Sequence, residues 1–162
     1  MINLTADYNW LKIIHVISSI VLFGTGLGTA IYMLLVNFQK DVELIAKATA
    51  QVVFIDFWFT GRRGIVQPIT GFAMVYLYKY PLFSFWIVGS VTGYLIAGIC
   101  WFIVVWLQIR CRDLAIDAFN KNTPLPKSYH KCFKTWWILG IPAFISLMFV
   151  FYLMTNRPAG IY

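Results

Sequence analysis

Two histidines occur in the 162 residues, and only His15 falls inside a long apolar run. That run opens as Tyr8-Asn9-Trp10-Leu11-Lys12-Ile13-Ile14-His15 and continues without a further charge to Phe38. An imidazole about one turn inside a membrane helix costs about 2–3 kcal/mol or more unless a partner satisfies it, so it marks a candidate site. The chemistry open to it is ligation of a metal or haem iron through a neutral ring nitrogen, or a hydrogen bond to a neighbouring helix. At roughly 100° per residue, His15 shares a stripe with Lys12, Ser18, Ser19, Leu22, Gly26, Thr29 and Met33. Small residues along that stripe, Ser19 and Gly26 among them, leave room for something flat. Lys12 lies at the outer rim, where it can snorkel or meet a carboxylate or lipid phosphate.

Helices must position those groups. The chain is 60% hydrophobic, 19% aromatic and 12% charged, with a mean hydropathy of +0.75. Apolar runs at 11–38, 64–78, 83–109 and 136–155 approach the ~20 residues needed to cross the hydrocarbon. The first is too long for the h-region of a signal peptide, about 7–15 residues, so all four helices are expected in the mature protein. The predicted fold is all-α: a four-transmembrane-helix bundle forming a single integral membrane domain over 1–162. Residues 41–60 have helix-forming composition and mixed polarity, and predict a partly interfacial helical segment between the first two spans, breaking at the glycines of 61–64. Gly24 and Gly28, spaced G-x-x-x-G, face Gly89, Gly93 and Ala97 in kind and predict close packing of the first and third spans.

The net charge of +7 is concentrated in two connections. Lys40, Lys47, Arg62 and Arg63 lie in the first, and Arg110, Arg112, Lys121, Lys127, Lys131 and Lys134 in the third. The positive-inside rule makes both cytoplasmic, which puts both termini in the periplasm if the membrane is a bacterial inner membrane. No nucleic-acid motif accompanies the charge, and no nucleic-acid partner is expected. Cys100, Cys111 and Cys132 form no C-x-x-C pair and support neither a disulfide framework nor a thiolate zinc site.

This topology decides which side chains can share a centre with His15. Counting the same depth back from Tyr78 reaches Met74, a soft thioether ligand. Methionines in apolar helices usually fill gaps, so Met74 reads more readily as packing than as a ligand. Met33 is 18 residues beyond His15, ~27 Å along the helix, and cannot serve the same centre. His130 falls on the opposite side of the bilayer, which excludes a bis-histidine site within the chain. Copper handling would call for more Met and His on one side than the chain supplies.

The segment "YNWLKIIHVI", with Tyr8, Trp10, Leu11, Lys12 and His15, resembles the opening helix of the HemJ-type membrane protoporphyrinogen oxidases, read as Trp-x-Lys-x-x-His. "RRGIVQPITGFAMVYLY" is similar to their second helix. "GIPAFISLMFVFYLMTNRP", with Pro142 and the closing Arg157-Pro158, is similar to their last. The likeness is strongest to a related group of predicted four-helix bacterial integral membrane proteins and extends to the copper-resistance D membrane domains. It implies haem b held by His15 in a four-helix bundle, and by depth the second iron position falls to Met74 or is left to a substrate or partner chain. It also implies an oxidoreductase acting on a porphyrin and passing electrons to a respiratory-chain acceptor. The third helix here lacks the Lys and His of the enzyme family, and Leu139-Gly140-Ile141 replaces an Asn-Glu pair before the last-helix proline. The scaffold and the His15 ligand therefore carry over better than the catalytic equipment. Expected partners are membrane lipid, a porphyrin and an electron acceptor, with a homo-oligomer allowed. The alternative is a non-redox structural or accessory membrane subunit in which His15 only packs.

Overall fold

A computed structural model describes residues 4–156, with side chains from residue 8 onward. Arg157 and Pro158, which carry part of the family likeness, lie outside the described residues. The described chain is helical apart from short turns: α1 Leu4–Gln39, α2 Val42–Ile55, a π-helical segment Asp56–Gly61, α3 Arg62–Leu77, α4 Phe85–Asn120 and α5 Lys127–Asn156. Because α2, the π segment and α3 run on without a turn between them, the bundle consists of four antiparallel rods. Of these, α1 from Tyr8, α4 and α5 are long and apolar enough to cross a membrane. The α2–α3 rod carries Glu43, Lys47, Asp56, Arg62 and Arg63 along its length.

Two expectations are corrected. The segment 41–60 does not break at 61–64: Gly61 sits in the π segment, and the helix passes through Gly64 into α3. A π turn inserts one residue into the ladder and redirects the rod without ending it. The helical segment expected between the first two spans is present as α2, packed on the bundle. Asp41 caps it by accepting from the Leu44 amide at 3.1 Å, and its face of Ile45, Ala46, Ala48, Thr49 and Val52 is buried against α1 and α4. The third and fourth helices also overrun the expected limits of 109 and 136, to Asn120 and back to Lys127. Their polar ends are amphipathic, with Cys111, Ala115, Tyr129 and Cys132 buried together.

The main apolar core is at this basic end of the bundle. Met33, Val36, Ile45, Val52, Leu107, Cys111, Tyr129 and Trp136 pack in one cluster. Tyr129 within it donates its hydroxyl to Asn37 Oδ1 at 2.8 Å, so the buried phenol is satisfied. The glycine pairing also differs from expectation. A Cβ at Gly89 would lie 2.7 Å from Leu153 Cδ1, and one at Gly93 would lie 2.9 Å from Val150 Cγ2. These glycines therefore admit α5 against α4 and do not meet α1. A Cβ at Gly24 or Gly28 would meet nothing within 4 Å.

Candidate functional site

Above the π segment the rods part. α2 packs along α4, whereas α3 packs mainly on α1. The divergence leaves a cavity of about 520 Å³ in the half of the bundle opposite the basic end, bounded by α1, α3, α4 and α5. Its size is within the ~300–1,000 Å³ usual for small-molecule sites. The walls are largely apolar, with Phe72, Trp86 and Phe151 contributing flat surfaces.

At the floor, Pro68 explains one of the few links between α3 and α4. Proline has no amide hydrogen, so the Gly64 carbonyl four residues earlier loses its helical donor. The Tyr94 hydroxyl from α4 donates to that carbonyl instead. Tyr94 and Pro68 both line the cavity. Below the floor, Asp56 in the π segment is 4% exposed. Its Oδ1 accepts from the hydroxyls of Thr29 at 2.9 Å and Thr60 at 3.2 Å. Its Oδ2 accepts from Gln108 Nε2 at 2.6 Å. One carboxylate thus ties α1 and α4 to the point where the second rod changes direction.

His15 lines the cavity. Its Nδ1 is 2.8 Å from Thr70 Oγ1, and the same hydroxyl is 2.8 Å from the Val66 carbonyl oxygen. With its hydrogen on Val66 the Thr70 oxygen accepts from His15 Nδ1–H, whereas turned to the ring it donates to Nδ1 and the ring proton lies on Nε2. In the Nδ1–H tautomer Nε2 keeps its lone pair, and it makes no hydrogen bond among the described residues. Gln67 Nε2 donates to the His15 carbonyl at 2.9 Å, a second tie from α3 at the same residue. A Cβ at Gly71 would meet His15 Cε1 at 3.4 Å, so the ring lies against a backbone that a larger residue would push away.

Of the residues singled out from sequence, His15, Lys12, Ser19 and Met74 line this one cavity. Lys12 is exposed. The Ser19 hydroxyl is turned back on its own helix, donating to the Val16 carbonyl at 2.8 Å. Gly26 is further down, facing Thr60 Cγ2 at 4.0 Å, and does not line the cavity. Sequence reasoning missed Gln67, Thr70, Gly71, Ser90, Tyr94 and Asp56. The first three form, with Met74, an i, i+3, i+4, i+7 stripe on α3 that was present to be read. Ser90 is 3% exposed, lines the cavity, and its hydroxyl has no partner among the described residues.

A helical bundle whose long apolar rods can cross a membrane defines the chain as an integral membrane protein, with a half-buried histidine beside a partly open cavity. Residues 9–158 match the family described as "Predicted integral membrane protein (DUF2269)", and the chain belongs to that family. No curated protein and no solved structure shows significant similarity to it.

Proposed function

We propose that the protein is a four-span membrane protein that binds haem b or a related tetrapyrrole in the outer cavity, with His15 Nε2 as the iron ligand. In this reading α3 is the fourth span and the basic end of the bundle faces the cytoplasm of a bacterial inner membrane, leaving both termini periplasmic. The carrying observation is the His15 ring, whose Nδ1 is held by Thr70 at 2.8 Å while Nε2 is unpartnered. Ligating histidines are oriented in this way, by a hydrogen bond from the other ring nitrogen.

The residues fit such a group. The cavity has the volume and the aromatic walls for a flat apolar ring, and Lys12 at its rim can pair with carboxylates. Among the described residues no group of three or more His, Cys, Asp or Glu gathers to hold a bare metal ion. Iron at His15 would therefore arrive already chelated by its macrocycle. Met74 lines the same cavity and offers a thioether to the second axial position. Bound haem would supply one-electron redox chemistry. The chain's part is to present a neutral imidazole, exclude water and neutralise carboxylates.

Porphyrin oxidation coupled to a respiratory-chain acceptor is the enzymatic form of this reading, and rescue of a strain lacking protoporphyrinogen oxidase tests it. A second reading has its own support: the Thr70 bond and the Gln67 bond both join α1 to α3 through His15, as a purely structural clasp would. The absorption spectrum of the detergent-purified protein separates the two, since a clasp gives no Soret band.

A further inference from the structure

Arg62 and Arg63 stand where a membrane helix rarely carries charge. A Cβ at Gly61 would touch the Trp101 ring at 3.2 Å, and one at Gly64 would be 3.8 Å from Leu22 Cδ1. The two arginines between them are thus level with the middle of the apolar runs of α1 and α4. Both are exposed. Uncompensated, they would face hydrocarbon at a cost of about 2.5–3.5 kcal/mol each.

No carboxylate of the chain compensates them among the side chains described. Asp56 is occupied by Thr29, Thr60 and Gln108. Asp41 caps α2. Glu43, Asp113 and Asp117 pair with Lys47, Arg112 and Lys121. A second copy of the chain packed on this face would bring arginine toward arginine, with no free acid at that level to meet them.

The direction of Arg62 indicates what does compensate the pair. Helical side chains lean toward the helix N-terminus, here the basic end of the bundle. The Arg62 guanidinium lies 3.8 Å over the Trp58 ring, one turn closer to that end. Trp58 in turn is level with Trp106, because Asp56 and Gln108 are bonded across antiparallel rods two residues below each. Trp58 is 41% and Trp106 56% exposed, as interfacial indoles are. Arg110 follows, 5.5 Å over Trp106. The charge of Arg62 is thus carried one turn toward the level of Trp106 and Arg110, where the apolar run of α4 ends, and its planar N–H fork, stacked on an indole, is free to bind an anion. Arg63 has no partner among the described residues and adds a second charge beside it.

We infer that Arg62 and Arg63 form a binding site for the phosphate of an anionic phospholipid in the leaflet at the basic end of the bundle. The site is separate from the His15 cavity and does not depend on its ligand. Guanidinium binds phosphate through two parallel hydrogen bonds, and each basic residue near an anionic surface is worth ~5-fold in affinity.

Native mass spectrometry of the detergent-solubilised protein, with phosphatidylglycerol or phosphatidylcholine added at equal concentration, tests this. Wild type should retain phosphatidylglycerol in excess, and inorganic phosphate should not displace it. R62Q/R63Q should lose the excess, R62K/R63K should keep most of it, and K79Q, in the turn between α3 and α4 at the opposite end of the bundle, should behave as wild type. R63Q alone, which removes no described contact, should lower retention ~5-fold and serves if the double variant misfolds. Equal retention of both lipids, or an unchanged excess in R63Q and R62Q/R63Q, would overturn the inference. So would a photo-crosslinker at position 63 that captures protein in native membranes and no lipid.

Discussion

The Thr70 hydroxyl holds His15 Nδ1 at 2.8 Å across the α1–α3 interface, with the Val66 carbonyl within reach of its own hydrogen. In the ligating tautomer it accepts from Nδ1–H and holds the orientation of the ring. Thr70→Val keeps the shape and removes the acceptor, leaving an Nδ1–H unpaired. Its haem affinity should fall by about 10–100-fold, as loss of such supporting bonds does, whereas Thr70→Ser should remain near wild type. Titration of haemin into apoprotein measures both. Equal affinity in Thr70→Val would detach the hydrogen bond from ligation.

Met74 tests the second axial position. It lines the cavity one helical turn from Thr70 and Gly71 on the same face of α3. Met74→Leu roughly conserves volume and should convert a low-spin six-coordinate reduced spectrum to a five-coordinate high-spin one with little loss of thermal stability. An unchanged spin state would make Met74 a packing residue and assign the position to a substrate or partner chain.

Asp56 is predicted to hold the bend. Replacing it with alanine strands Gln108 Nε2, while the Thr29 hydroxyl keeps the Thr25 carbonyl and the Thr60 hydroxyl keeps the Thr25 hydroxyl. Each buried group left unpaired costs about 1–3 kcal/mol. Asp56→Ala should lower the unfolding temperature in detergent well below that of Asp56→Asn, which retains one carbonyl acceptor. If both match wild type, the network does not stabilise the fold.

What the sequence revealed and what it hid follow from one physical difference. Apolar runs and an imidazole among them are properties of a segment, and α1, α4, α5 and the candidacy of His15 were legible from them. Partner choice is a property of two segments. Gly89 and Gly93 announced a close approach without saying that Val150 and Leu153 of α5, and no residue of α1, would make it. The glycines at 61 and 64 suggested a break, because an isolated glycine weakens a helix. Packing of Trp101 on Gly61 and the Asp56 network hold the rod together there. The basic stretches after 109 and before 136 suggested a loop because polarity was counted without its period. Cys111 and Ala115, with Tyr129 and Cys132, carry the buried stripe.

Orientation is checked independently of the site. A reporter fused after Tyr162 should read periplasm, and one inserted near Pro124, in the turn between α4 and α5, should read cytoplasm. The opposite pattern would invert the bundle and move the cavity to the inner leaflet.

The proposal of haem binding rests on a single nitrogen, His15 Nε2. The oxidised and reduced absorption spectra of His15→Ala beside wild type, purified from membranes of cells supplied with haem precursor, test it most directly. Alanine favours helix and is apolar, so the variant should insert normally. Wild type should show the Soret band of haem b, His15→Ala should lose most or all of it, and His130→Ala should match wild type. Equal haem content in wild type and His15→Ala, or no Soret band in wild type, would contradict ligation at His15.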